Sequence, residues 1–286
     1  MADAFANHAF RIVNVFTAGG ALSGNPLCVF EDARGLDDKT LQGLARQFNL
    51  SETTFILPSD KATARVRIFT PAYEMPFAGH PTLGTAFVVN ALQQGKGEIT
   101  LEMKAGVISV RRIDAGTQRW QLKANAPSWR ETGVAGPDLA RMLGLNEDDI
   151  GAAPRWVNAG KEQLVVPVTS RAAVDRCSAG NVRLGALKSI DGHSMAYVFH
   201  DDGREVYARF FFPGSGAVLE DPATGSACAN LGGWFLAQSA ALPLSRNVSQ
   251  GSHVGRPSKL FLDVDASGSV QVAGDIIELA RGSVTI

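Results

Sequence analysis

The chain has 286 residues, of which 45% are apolar and 19% charged, with a formal net charge of −1. This is the composition of a folded globular protein long enough for two domains. With the charge near zero and no run of Lys and Arg, broad electrostatic binding of nucleic acid is excluded and a small-molecule partner is expected.

Taken in chain order, the apolar pattern predicts short strands over 10–16 and 27–30. A helix over 39–48 follows, with Leu41, Leu44, Ala45 and Phe48 on one face. Strands are expected over 53–57 and 64–69. The segment AGHPTLGTAFVVNAL then offers almost no polar face. A helix apolar all round is buried on all sides. Strands over 99–101, 107–113 and 119–122 lead to 121–136, where Asn125, Pro127, Gly133, Gly136 and Pro137 mark a crossover. Beyond it come apolar 164–166, strands over 195–199 and 206–212, and a second all-apolar segment, ATGSACANLGGWFLA. A strand over 259–264 follows. Many short strands and few helices point to curved or barrel-like sheets rather than a βαβ array.

The chain repeats itself. Val13-Asn14 and Val157-Asn158 open similar apolar segments. Arg67-Ile68-Phe69-Thr70-Pro71 matches Arg209-Phe210-Phe211-Phe212-Pro213. The offsets, 144 and 142 residues, lie close to half of 286. Each R-x-F-x-P runs into a Gly-containing turn and then an all-apolar segment. Duplication explains two pairs in the same order better than chance does.

Both apolar helices would begin on backbone-exposing residues, Gly79-His80-Pro81-Thr82 and Thr224-Gly225-Ser226. Free N–H groups and partial positive charge at such starts attract a carboxylate or phosphate. The plainer alternative is N-capping by Thr224 or Ser226. Glu52 stands at the entrance to an apolar strand, where a solvated strand end is the ordinary role. His80 alone reads as a capping or core histidine, and Asp221 as a turn residue.

Other motifs fail on their own terms. Gly214-Ser215-Gly216-Ala217-Val218-Leu219 has leucine where a dinucleotide fingerprint needs its third glycine. Gly19 to Gly24 has P-loop spacing, but Asn25 replaces the lysine. No G-x-S-x-G elbow is present, and the histidines show no metal-ligand spacing. Cys28, Cys177 and Cys228 have neither CxxC spacing nor an even count. MADAFANHAFRIVNVF lacks the basic and apolar regions of a signal peptide, and no stretch reaches the ~18 apolar residues of a membrane span. The expected address is cytoplasmic, with no membrane and no nucleic-acid partner.

The segments SGNPLCVF, NLSETTFIL, RIFTPAYEMPFAGHPTLGTA and RFFFPGSGAVLEDPATGSACANLGGW together resemble the PhzF family, named for phenazine biosynthesis. The match runs through both halves in order. The resemblance implies an α+β, diaminopimelate-epimerase-like fold. It consists of two pseudo-symmetric domains, each a curved, mostly antiparallel sheet or barrel wrapped around a central apolar helix. The expected halves are 1–124, joined by a terminal strand over 276–286, and 125–275, with the active site in the cleft between them. By motif, the catalytic residues fall on Glu52, His80 and Asp221. Ser226 and the backbone at Gly79 and Gly225 would hold the substrate.

The implied activity is a cofactor-independent isomerisation, with no metal. Glu52 would shift a proton within a small carboxylate substrate, once desolvation raises its pKa toward the working pH. The resemblance also implies a homodimer. Epimerases of this fold place a cysteine before each central helix; here those positions read as Ala78 and Ala223, which disfavours a two-thiol stereoinversion. A non-catalytic small-molecule-binding or regulatory protein on the same fold is the alternative.

Overall fold

The computed structural model describes residues 6–214 and 216–286. Positions 1–5, where the signal-peptide reading begins, and Ser215 of the rejected glycine motif lie outside the described residues. The chain divides into two compact units, Met1–Leu122 with Ala273–Ile286, and Lys123–Val272. Among the described residues there are seventeen strands and five α-helices.

The first unit contains β1 (Asn7–Val15), β2 (Asn25–Phe30), α1 (Asp38–Phe48), β3 (Glu52–Leu57), β4 (Ala64–Phe69), β5 (Glu74–Met75), α2 (Gly79–Leu92), β6 (Glu98–Met103), β7 (Gly106–Asp114) and β8 (Arg119–Lys123). The last strand of the chain, Val270–Thr285, starts in the second unit. From residue 273 onward it belongs to the first, pairing antiparallel with β1. From there β1 pairs with β2, β2 with β3, β3 with β4, β4 with β6, β6 with β7 and β7 with β8. β8 pairs back onto the terminal strand, closing an eight-stranded barrel. The short β5 is a hairpin extension of β4.

α1 starts where Asp37 accepts a hydrogen bond from the Thr40 N–H at 2.8 Å, and it stops at Asn49 in the left-handed conformation. It buries Leu41, Leu44 and Ala45 against an aromatic cluster that includes Phe30, Phe55 and Phe69. α2 is buried along nearly all its length and packs on β1, β2, β3, β4, β6 and β7. That approach depends on Gly84, where a Cβ would stand 2.6 Å from Leu27 Cδ2 and 2.9 Å from Val15 Cγ2. Thr85 Oγ1 donates to Thr54 Oγ1 at 2.8 Å and ties the helix to β3.

The second unit contains β9 (Ser128–Glu131), α3 (Gly136–Leu143), β10 (Arg155–Asn158), β11 (Glu162–Pro167), α4 (Arg171–Arg176), β12 (Ala196–Asp201), β13 (Glu205–Gly214), β14 (Ala217–Asp221), α5 (Gly225–Ala237), β15 (Leu244–Gln250) and β16 (Ser258–Val264). The strand that begins at Val270 is β17. Pairing runs β9–β10–β11–β12–β13–β15–β16, with β14 as a hairpin on β13. α5 is buried among β9, β10, β11 and β16.

Each unit taken by itself shows the same grammar. β2–β3 and β4–β6 are parallel in the first, and β11–β12 and β13–β15 are parallel in the second; apart from β8 with the terminal strand, the other pairs named are antiparallel. The R-x-F motif has a structural purpose in both. Arg67 Nε and Nη2 donate to the two Glu74 oxygens at 2.8 Å each, pinning β5 to β4. Arg209 Nε and Nη2 grip Glu220 in the same bidentate way, at 3.1 and 2.5 Å, pinning β14 to β13. Each guanidinium also sits over the phenylalanine two residues on, at 5.0 Å from Phe69 and 5.1 Å from Phe211. Each pinned hairpin leads directly into the buried helix of its unit.

Candidate active site

In the first unit, Glu52 is the first residue of β3 and His80 the second residue of α2. The structure brings them together, with His80 Nδ1 3.3 Å from Glu52 Oε2. The His80 side chain is only 6% exposed. Burial pushes its pKa down to about 3, against a weaker opposing hydrogen bond to the Pro26 carbonyl. The imidazole is therefore neutral at physiological pH, and its approach to Glu52 is not an ion pair.

Nε2 is buried and has no hydrogen-bond partner among the described residues. Nδ1 is the nitrogen that faces Glu52, and Nε2 is left for a partner from outside the chain.

Neither helix start is capped by a side chain. Ala78 occupies the N-cap of α2, and Thr224 the N-cap of α5 without a capping bond. Capping by Thr224 or Ser226 is thus replaced by other bonds. Thr224 Oγ1 donates to Asp221 Oδ2 and accepts from Gln250 Nε2 at 3.0 Å. Gln250, fully buried, also donates to the Asp221 carbonyl at 2.8 Å. Gly251 lets the chain turn there: a Cβ would lie 2.4 Å from the Pro222 carbonyl oxygen. Ser226, the second residue of α5, accepts from Gln163 Nε2 at 2.9 Å. Gly79 and Gly225 are the first residues of their helices, so their N–H groups have no intrahelical acceptor.

The helix starts correct one register. Ala78 and Thr224 each precede the first helical glycine, so Thr224, not Ala223, stands where Ala78 does. Neither is a thiol. Burial pushes the Cys177 thiol up to about 12, and drives Cys28 and Cys228 up as well.

The strand registers decide a further comparison. Thr53 pairs with Phe69 and Ala196 with Phe211, the two phenylalanines of the repeated motif. The residue before Thr53 is Glu52, and the residue before Ala196 is Met195. The second unit therefore has no carboxylate at the position that Glu52 holds in the first.

Sequence reasoning missed Gln163, Asn230 and Gln250. A lone amide inside an otherwise apolar strand or helix was the available signal, because a buried polar group must find partners. Among the described residues, no three His, Cys, Asp or Glu side chains gather as a metal-binding set, and no helix is long and apolar enough to cross a membrane.

The model of the phenazine biosynthesis-like family PhzC-PhzF matches residues 13–282. The chain belongs to this family. It is 38% identical over 285 residues to an uncharacterised isomerase of Pasteurella multocida (strain Pm70), a match spanning 98% of this chain and 94% of that protein. It is 32% identical over 284 residues to the trans-2,3-dihydro-3-hydroxyanthranilate isomerase of Pseudomonas aeruginosa, spanning 96% of this chain and 98% of the relative. The fold is that of a Bacillus anthracis PhzF-family protein, with a TM-score of 0.85 at 23% identity over 98% of this chain and all of the other. Both of these relatives of the PhzF-family chain are named isomerases, and it is an enzyme of that class.

Proposed function

We propose that the protein moves a proton between two carbons of a small carboxylate-bearing molecule, with Glu52 as its acid–base group and no metal or organic cofactor. The observation that carries this reading is the 3.3 Å approach of Glu52 to a neutral, buried His80, while Met195 occupies the matching position in the second unit. Inversion at one carbon by two bases needs a second proton carrier. The second unit offers Met195 at the position matching Glu52, its helix start carries no thiol, and the Asp221 carboxylate there is held by Thr224. A proton shift needs one group, which takes a proton as one C–H bond breaks and gives it to another carbon as the double bond moves.

In this reading Glu52 accepts the proton and returns it. The open Nε2 of His80 hydrogen-bonds with a hydroxyl or amino group of the substrate. Asp221 orients the substrate. Ser226 and the N–H of Gly225, at the uncapped start of α5, hold a carboxylate, and the N–H of Gly79 offers the same kind of anion-binding donor at the uncapped start of α2. The buried helices α2 and α5 serve as central supports about which each set of strands is wrapped, so the reacting groups sit on rigid elements.

The relatives named trans-2,3-dihydro-3-hydroxyanthranilate isomerases make that compound the first substrate to try. After exhaustive chelation and dialysis, incubation with it in D2O should give an isomer carrying solvent deuterium. Return of unexchanged compound, or turnover only on adding a metal or organic cofactor, would contradict the proposal.

A further inference from the structure

A buried relay in the second unit fixes which way the Ser226 hydroxyl can point. Asn230 lies on α5 and is fully buried. The Ala159 N–H donates to its Oδ1 at 2.7 Å, and its Nδ2 donates to the Lys161 carbonyl at 2.8 Å. A backbone N–H only donates and a backbone carbonyl only accepts, so these two contacts admit one orientation of the Asn230 amide. The remaining Nδ2 proton goes to Gln163 Oε1, again at 2.8 Å. Gln163, itself 2% exposed, therefore presents Nε2 to Ser226 Oγ at 2.9 Å.

Ser226 receives a proton it cannot return. Its own hydroxyl proton must find another acceptor, and among the described residues the side chain has no second hydrogen-bond partner. We propose that Gln163, locked by Asn230, is a positioning residue that makes Ser226 an obligate donor toward an acceptor oxygen of the substrate. This rests on the reading of Ser226 as a substrate-holding group and deepens it. Ser226 discriminates for a carboxylate or carbonyl oxygen and against a ligand that offers only a donor there. The backbone of β10–β11 thereby sets a polarity that is read one residue inside the start of α5.

The test uses trans-2,3-dihydro-3-hydroxyanthranilate as substrate and Gln163→Glu, Ser226→Ala and the double variant. The carboxylate introduced by Gln163→Glu would still accept from Asn230 but would draw the Ser226 proton inward. Gln163→Glu is expected to raise KM roughly ten-fold or more, the scale of a hydrogen bond to a charged group, with kcat little changed. Ser226→Ala should raise KM similarly. The double variant should match Ser226→Ala alone, because the relay acts only through the serine.

Additive losses in the double variant, or an unchanged KM in Gln163→Glu, would overturn the relay while leaving Ser226 in place. An unchanged KM in Ser226→Ala would instead sink the role of Ser226, and the relay with it. If Gln163→Glu fails to fold, a neutron structure of the wild-type protein decides. The proposal requires deuterium on Gln163 Nε2 facing Ser226 Oγ, and a serine deuteron turned away from Gln163. A serine deuteron directed at Gln163 would refute it.

Discussion

Protonating His80 should destabilise the fold, and by an amount the structure sets. In an unfolded chain a histidine titrates near 6.5, whereas burial holds His80 down to about 3. Between those values the unfolded state binds a proton that the folded state does not. Stability is therefore fully present above pH 6.5 and is lost as pH falls toward 3. The slope is about 1.4 kcal/mol per pH unit, so going from pH 7 to pH 4.5 should remove about 2.7 kcal/mol through this residue alone.

The assay is urea unfolding of wild type and His80→Asn at both pH values. Subtracting the two proteins cancels the titration of the groups that His80 does not touch. Wild type should lose about 2–3 kcal/mol more than the variant on acidification. The imidazole carbon shifts in NMR spectra should stay those of the neutral ring down to pH 4.5. If His80 instead formed an ion pair with Glu52, its pKa would lie above 6.5 and acidification would favour the folded wild type. Equal losses in the two proteins, or an imidazole titrating near 6.5, would refute the reasoning.

Arg209→Met should cost about 3–5 kcal/mol in denaturant unfolding, because it strands Glu220 in a site where the two side chains are 5% and 4% exposed. Arg67→Met should cost less, since its partners Glu74 and Asp38 are 13% and 82% exposed and can be solvated; the reverse order would contradict the burial argument. Alkylating reagents at pH 8 should leave the folded protein unmodified, because Cys28, Cys177 and Cys228 are fully buried and held as thiols. Mass spectrometry showing fast modification, together with lost turnover, would reopen a cysteine mechanism.

Much of the architecture was legible because burial leaves a compositional trace. The segments that became α2 and α5 lack a polar face, and a helix of that kind has no place on a surface. The repeated R-x-F was visible as a pattern, but its cause was not. The partners Glu74 and Glu220 come from the following hairpin strands, and only pairing register brings them under the arginines. β15 escaped because Leu244–Gln250 is mostly polar, with only Leu244, Val248 and Gln250 buried. α3 begins at the last residue of a stretch rich in Gly and Pro, where turn signals mask a helix that starts on Gly136-Pro137.

Within the candidate site, the motifs supplied the residues but not their states. That His80 is neutral follows from burial, and that its Nε2 has no hydrogen-bond partner among the described residues follows from how α2 packs. The capping alternative for Thr224 and Ser226 was reasonable from local sequence. It gave way because Asp221, Gln250 and Gln163, distant in the chain or across a turn, compete for those hydroxyls. The bonds from Gln250 and Gln163 are tertiary and leave no local signature.

The central claim is that Glu52 carries the proton, and Glu52→Gln tests it most directly. Glutamine keeps the size of the side chain and its ability to accept a hydrogen bond, but it cannot carry a proton between carbons. With trans-2,3-dihydro-3-hydroxyanthranilate in D2O, wild type and variant should bind comparably while the variant incorporates deuterium at least a hundred-fold more slowly, within the ~10²–10⁴-fold range of general acid–base groups. Equal rates of deuterium incorporation in the two proteins would contradict the account.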